Sequence, residues 1–255
     1  MSQEFEREQT LRDLYYNPVT GYSSAQRLYE QARQGGLDIS LSQTKKWLAQ
    51  QETYVRFQQP QKSFKRAQTY VPRMADQLQI DLVDMSKYEN ENKGYRWILT
   101  GIDVFSRYFF AIPVRRKHKD FVIDAVKLLL EQFEEHFEKL PNVIQFDEGG
   151  EFKNTQVLPF LEEKGIRYFS TRLTSKKAAV VERANRTLKT RMWRFFDHQR
   201  RKEWIYVLES LVQGINQSVN SSIGMEPTNV SESNEPVVSI IWTPSQDEAT
   251  HLQGR

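Results

Sequence analysis

Apolar and polar positions follow two rhythms along this chain, and the change from one to the other near residue 77 divides it. Residues 1–54 carry apolar positions at helical spacing in three short stretches. The first runs from about Glu6 to Tyr16 and stops at Asn17-Pro18, with Gly21 in the turn behind it. In the second, Ala25, Leu28, Tyr29 and Ala32 fall at i, i+3, i+4 and i+7, behind a Ser23 or Ser24 cap and ahead of Gly35-Gly36. Ser40 and Gln43 read as the capping box of a third helix, with Leu41, Thr44 and Leu48 inward and Lys45 and Lys46 outward. Residues 55–76 lose periodicity and hold Pro60, Pro72 and several cations, which predicts an extended basic linker laid along a polyanion or left as a solvated tether.

From Gln77 the period drops to that of strands. Gln77–Met85, Tyr95–Val104 and Arg107–Val114 read as three strands on short connections, an antiparallel meander. A helix capped by Asp120 follows, with Val122, Ala125, Val126, Leu129 and Phe133 on one stripe. Val143–Phe146 is a fourth strand, Thr155–Lys164 a helix stopped by Gly165, and Ile166–Ser170 a fifth strand. Two long helices are expected over about 178–197 and 202–220. The order βββ-α-β-α-β-α-α predicts an α/β domain built on a mixed five-stranded sheet, three antiparallel strands then two parallel, with flanking helices. Four regions result: a helix-turn-helix-like N-terminal module (1–54), a linker (55–76), the α/β core (77–227) and a flexible tail (228–255).

Composition removes several chemistries. With no cysteine there are no disulfides, thiolate zinc sites or cysteine nucleophiles, and the four histidines stand alone in the sequence, so zinc is not expected. No run of 18 apolar residues and no basic-then-apolar leader occur, so neither a membrane partner nor secretion is expected. Charge changes the picture more. The whole chain carries +3, yet between Arg172 and Lys202 eleven Lys or Arg face only Glu182 and Asp197, a local +9 that leaves −6 elsewhere. A solvated helix would intersperse acids at i±4, so this stretch points to a polyanion-binding face.

Three acids are the candidate chemistry. Asp81 lies within the first strand, where Asp81 and Asp84 face opposite ways, so only one of them can join a given site. Asp147 ends the fourth strand, where open α/β sheets build their sites. Glu182 begins a helix with Arg186 and Lys189 above it on the same face, and Val181, Ala184, Leu188, Met192 and Phe195 on the other. Carboxylates brought within a few ångströms repel unless Mg²⁺ or Mn²⁺ neutralises them, and two such ions suit an in-line displacement at phosphate. The structural alternative is that Asp147 forms a turn before Gly149-Gly150 and Glu182 is a helix-start acid favoured by the dipole.

These segments carry a family resemblance. Gln79-Ile80-Asp81-Leu82-Val83-Asp84-Met85, Ile98 through Tyr108, Phe146-Asp147-Glu148-Gly149-Gly150-Glu151-Phe152, Val180 through Lys189 and Ser222 through Pro227 together resemble integrase catalytic cores. The cores in question are those of retroviruses, long-terminal-repeat retrotransposons and Polinton-like self-synthesising DNA transposons. The resemblance covers about 77–227 and places the family's Asp, Asp and Glu on Asp81, Asp147 and Glu182. It implies an RNase-H-like fold and a DDE polynucleotidyl transferase holding two Mg²⁺ (or Mn²⁺) ions when DNA is bound. Such an enzyme hydrolyses the phosphodiester near a mobile element's 3′ end, then joins the freed hydroxyl to target DNA. DNA contacts fall on Arg183, Asn185, Arg186 and Lys189, and on Arg172, Lys176 and Lys177 in the loop ahead of them.

Further implications are double-stranded DNA as partner, a homodimer or homotetramer, and a nuclear location in a eukaryotic host. Arg115 through Lys119 reads as a nuclear signal or, more simply, a solvated corner. Trp193, Phe195, Phe196 and Trp204 fit an oligomer interface or plain core burial. The competing readings are a domesticated, catalytically silent DNA-binding protein and an RNase H-like nuclease. Many retroviral relatives carry an N-terminal His-His-Cys-Cys zinc domain; without cysteine, the first three helices here must hold by packing alone.

Overall fold

A computed structural model of the chain describes residues 2–57, 71–147, 152, 156–171 and 178–242. Five strands, β1 (Gln77–Asp84), β2 (Trp97–Asp103), β3 (Phe109–Val114), β4 (Val143–Asp147) and β5 (Arg167–Thr171), form one sheet in the order β3-β2-β1-β4-β5. β1 pairs antiparallel with β2, with Asp81 opposite Thr100, and β2 pairs antiparallel with β3. β4 lies parallel to β1 on its other side, and β5 parallel to β4. This is the expected mixed sheet.

Both faces of the sheet are covered, and alternation decides what each face meets. Leu78, Ile80, Ile144 and Phe146 point towards α5 (Lys119–Phe137) and α6 (Val157–Glu163), in a core with Val122, Val126, Leu129, Phe133 and Leu161. A Cβ on Gly101 would stand 2.9 Å from a Leu129 methyl, so glycine there lets α5 lie close on the sheet. On the opposite face Val83, Ile98, Ile102 and Phe109 pack under α7 (Ala179–Gln199) and α8 (Leu208–Asn216), through Val181, Ala184, Leu188, Met192 and Leu211. Trp204 and Phe196 are buried in that layer, so core packing accounts for them. Gln79, Asp81, Gln145 and Asp147, at the alternate positions of β1 and β4, belong to this second face.

The N-terminal module has four helices rather than three: α1 (Ser2–Tyr16), α2 (Ala25–Gln34), α3 (Leu41–Ala49) and the short α4 (Glu52–Arg56). Ser24 caps α2, and the Ser40–Gln43 capping box opens α3 with both reciprocal bonds formed. Leu11, Tyr15, Leu28, Ala32, Trp47 and Leu48 make its core. The module is docked on α7 and α8. Arg27 pairs with Glu226 at 2.9 Å, Thr53 donates to Asp197 at 3.0 Å, and Arg56 also pairs with Asp197. Gly214 of α8 lies so near the Val19 carbonyl that a Cβ would stand 2.0 Å from its oxygen.

Three local expectations need correction. α5 begins at Lys119 behind a His118 cap, so Asp120 lies in its first turn, where the dipole favours it, and does not cap it. The linker's last residues are not a tether: Val71, Met74 and Ala75 are buried, while 58–70 lie outside the described residues. The tail expected to be flexible from 228 folds through 242 into α9 (Glu235–Trp242). Val238 is fully buried against Val71, Met74, Val104, Phe105 and Ile223, and Glu235 accepts the Met74 amide at 2.9 Å. The apolar run that begins at Val237 finds its partners far back in the chain.

Candidate functional site

The parallel register carries Asp81 and Asp147 to the same edge of the molecule. Ile80 is opposite Phe146, so the next residue on each of two neighbouring strands is an aspartate, both on the α7 face. Asp147 is exposed where β4 ends, and Asp81 is half-buried within β1. One Asp81 oxygen accepts the amide of Leu82 at 2.8 Å, and the other accepts Asn185 Nδ2 of α7 at 2.8 Å. Burial raises the Asp81 pKa above the ordinary carboxylate value, and the Asp147 charge adds to this; the Leu82 and Asn185 bonds and the Lys189 ammonium oppose it.

Glu182 stands in the first turn of α7, one turn before Asn185, and is exposed. The structure therefore brings Asp81 and Asp147 together and sets Glu182 on the exposed face of the helix that contacts Asp81. Among the described residues no three His, Asp or Glu side chains stand close enough to hold a metal ion as one group. Asp84, on the other side of β1, is exposed and accepts the Ser86 amide in the following turn, which leaves Asp81 as the β1 acid of this site. The donor set suits a hard divalent cation in kind. Two neighbouring carboxylates meet there, and the Asn185 Oδ1 oxygen is buried with no hydrogen-bond partner.

The candidate DNA contacts divide three ways. Arg183 and Arg186 are exposed on α7, and Lys189 is half-buried with its charge acting on Asp81. Asn185 is buried and committed to Asp81, so its site role runs through that carboxylate. Arg172, Lys176 and Lys177 lie outside the described residues. The basic stretch is also less exposed than its count suggests, because Arg191 and Arg194 are buried beneath the N-terminal module.

Residue patterns alone missed the glutamines behind the acids. Gln79 and Gln145 each stand two residues before an aspartate, on the same face, and both are buried. Gln79 Nε2 donates to Gln145 Oε1 at 2.9 Å, and Gln77 Nε2 donates to the same oxygen at 2.6 Å. Gln79 Oε1 accepts the amides of Val180 and Val181, each at 3.1 Å. The signal was the repeated Gln-X-Asp spacing in two strands.

Comparison with known proteins bears on the family and the fold. Residues 72–175 match the family model of the integrase core domain. A putative uncharacterized transposon-derived protein of Caenorhabditis elegans is 35% identical over 146 residues, 57% of this chain and 49% of that one. A Ty1 transposon Gag-Pol polyprotein of Saccharomyces cerevisiae is 29% identical over 98 residues, 38% of this chain and 6% of the polyprotein. The chain thus spans about half the length of the first relative and a small part of the second. Among solved structures, a chain of the simian T-cell lymphotropic virus intasome in complex with a PP2A regulatory subunit superposes with a TM-score of 0.56 at 17% identity. That match covers 82% of this chain and 76% of the other, and it shows a shared fold, the RNase-H-like fold of an integrase core.

Proposed function

We propose, from the premise that residues 72–175 are an integrase core domain of the retroviral and retrotransposon type, that this chain is a DNA integrase acting on mobile-element ends. One observation supports the reading most. Two aspartates end up side by side on parallel strands, and the helix that contacts one of them also carries Glu182, Arg183 and Arg186.

Asp81, Asp147 and Glu182 are the residues that would hold Mg²⁺ or Mn²⁺, with Glu182 reaching from its exposed position on α7. Bound there, such ions would supply Lewis-acid activation of an attacking oxygen and charge stabilisation of a leaving one. The remaining work falls to the chain itself. Asn185 fixes the orientation of the Asp81 carboxylate by donating to one of its oxygens. Lys189 favours the ionised form of Asp81, the form a cation needs. Arg183 and Arg186 present guanidinium groups to a phosphodiester backbone, with Arg172, Lys176 and Lys177 as further contacts. Double-stranded DNA is the partner in this reading, the working form is a dimer or tetramer, and in a eukaryotic host the site of action is the nucleus.

A second reading has its own support. Glu182 is exposed and no three-acid group forms among the described residues, which is what a silent, DNA-binding descendant would show. One assay separates the two. Labelled duplex ends are incubated with the chain and Mn²⁺ or Mg²⁺, and nicked and joined products are resolved. The integrase reading expects both products, and Asp147→Asn lowers joining by on the order of a thousandfold or more with the melting temperature kept. Full joining by that variant would remove Asp147 from the mechanism. DNA binding by the parent chain without any joining selects the silent reading.

A further inference from the structure

We infer that Gln79 is a positioning residue that ties the start of α7, and with it Glu182, to the two strands that carry Asp81 and Asp147. The inference rests on the integrase reading for what the three acids do, but its geometry stands by itself. Helix starts leave their first amides without partners inside the helix, and a side chain just ahead normally accepts one of them. α7 has no such cap: Ala178 occupies the position and offers no side-chain acceptor. Its place is taken from across the fold by Gln79, whose Oε1 receives both Val180 N and Val181 N at 3.1 Å.

The same side chain is held at its other end. Its Nε2 donates to Gln145, whose oxygen also receives Gln77, so the amide plane of Gln79 cannot turn without breaking its bonds to β4 and to the start of α7. Gln79 is fully buried and Gln145 nearly so, where a hydrogen bond counts for more than at the surface. Each contact lies within two residues of a candidate acid. Gln79 precedes Asp81 by two positions, Gln145 precedes Asp147 by two, and Val181 adjoins Glu182. A single amide thus sets how far the exposed glutamate stands from the paired aspartates. A helix cap that served stability alone would need only the acceptor; the second bond, to the neighbouring acid-bearing strand, is what a positioning role adds.

The test uses the full chain with Gln79→Met, which keeps length and removes both functions, and Gln79→Glu, which keeps the acceptor for the helix amides. Hydrogen exchange is read without DNA or metal. The amides of Val180 and Val181 should exchange roughly tenfold faster in Gln79→Met and stay protected in Gln79→Glu, with the β2 amides unchanged in both. Strand transfer at saturating DNA with Mn²⁺ should fall by about tenfold or more in Gln79→Met while the affinity for DNA ends stays within about twofold. Gln79→Glu, which holds the helix amides but lacks the donor to Gln145, should recover only part of the turnover. Unaltered exchange in Gln79→Met overturns the anchor. Faster exchange with full turnover overturns the positioning role. Equal losses in both variants alongside a general loss of β2 protection reduce Gln79 to a packing residue. Should the parent chain join no ends, the integrase reading fails separately, and Mn²⁺ affinity by calorimetry decides in its place: weaker binding in Gln79→Met upholds the positioning role, and equal binding rejects it.

Discussion

Up to Lys189, helix α7 turns its cations outward or towards Asp81; from Arg191 it turns them inward. Arg183 and Arg186 are exposed, whereas Arg191 and Arg194 are buried, although all four belong to one unbroken basic stretch. The difference lies in what covers each half. Over the second half the N-terminal module lays backbone carbonyls and aromatic rings. Arg194 donates to the Tyr22 carbonyl at 2.7 Å and the Ser23 carbonyl at 3.3 Å, and its guanidinium stands 5.0 Å from the centre of the Tyr54 ring. Arg191 donates to Ser218 at 2.9 Å, and burial followed by the charges of Arg194 and Arg27 lowers its pKa to about 10, so it remains a cation at neutral pH. Over the first half, Val181, Ala184 and Leu188 pack on the sheet, and Arg183 and Arg186 on the other side are exposed among the described residues. Identical charges therefore sit in two settings: Arg183 and Arg186 are exposed, while Arg191 and Arg194 are buried and Arg194 fastens the module to the core.

The largest effect that would test this division comes from Arg194→Ala. It leaves two carbonyls of the module without their charged donor and removes a ring contact, and stability should fall by about 2–3 kcal/mol in chemical denaturation. DNA affinity of the folded chain should keep its salt dependence, because that guanidinium never reaches solvent. A reduced salt slope with unchanged stability would mean the module leaves α7 when DNA binds. A smaller effect is expected from Asp197→Asn. This carboxylate receives Thr53 and pairs with Arg56 and Arg200, but both arginines keep access to water, so about 1 kcal/mol is at stake. A loss as large as that of Arg194→Ala would shift the fastening from the buried guanidinium to the ion pairs at its rim.

What the sequence made legible was whatever its own neighbours decide. Strand alternation in Gln77–Asp84, the Ser40–Gln43 box and the helical stripe of α5 are all written within a dozen residues, and each was readable. Asp147 stands out locally for the same reason, since a strand end and a glycine-rich turn mark it. Local pattern leaves Asp81 and Asp84 as alternatives, and the family resemblance singles out Asp81. Features with distant partners were not. Gln79 caps a helix whose amide lies 102 positions later, and Thr53 finds Asp197 across 144 positions. No local period announces either. Val238 falls in the tail expected to be flexible because its partners, Val71 and Met74, precede the whole core. Asn185 enters as a DNA contact through its match to the integrase pattern, yet the carboxylate it touches is on β1. Eleven cations in 31 positions suggested one face, and only packing could divide them into two.

The smallest change in stability, and the cleanest contrast, is expected from Arg186→Ala. It removes the same single charge as Arg194→Ala, about two turns earlier on the same helix. Arg186 is exposed and its side chain covers nothing in the core, so stability should stay within about 0.5 kcal/mol. Its effect belongs to binding. A guanidinium that neutralises one phosphate releases about one counterion, so the slope of log affinity against log salt should shrink by roughly one unit. The loss should be the same for any duplex sequence, since a backbone contact carries no base information. If Arg186→Ala instead lowers stability as Arg194→Ala does, the first half of α7 is also a fastening surface, and the phosphate path must run elsewhere. If both variants lower the salt slope equally, the module does not cover α7 in the DNA-bound state, and the inward half of the helix has been counted on the wrong side.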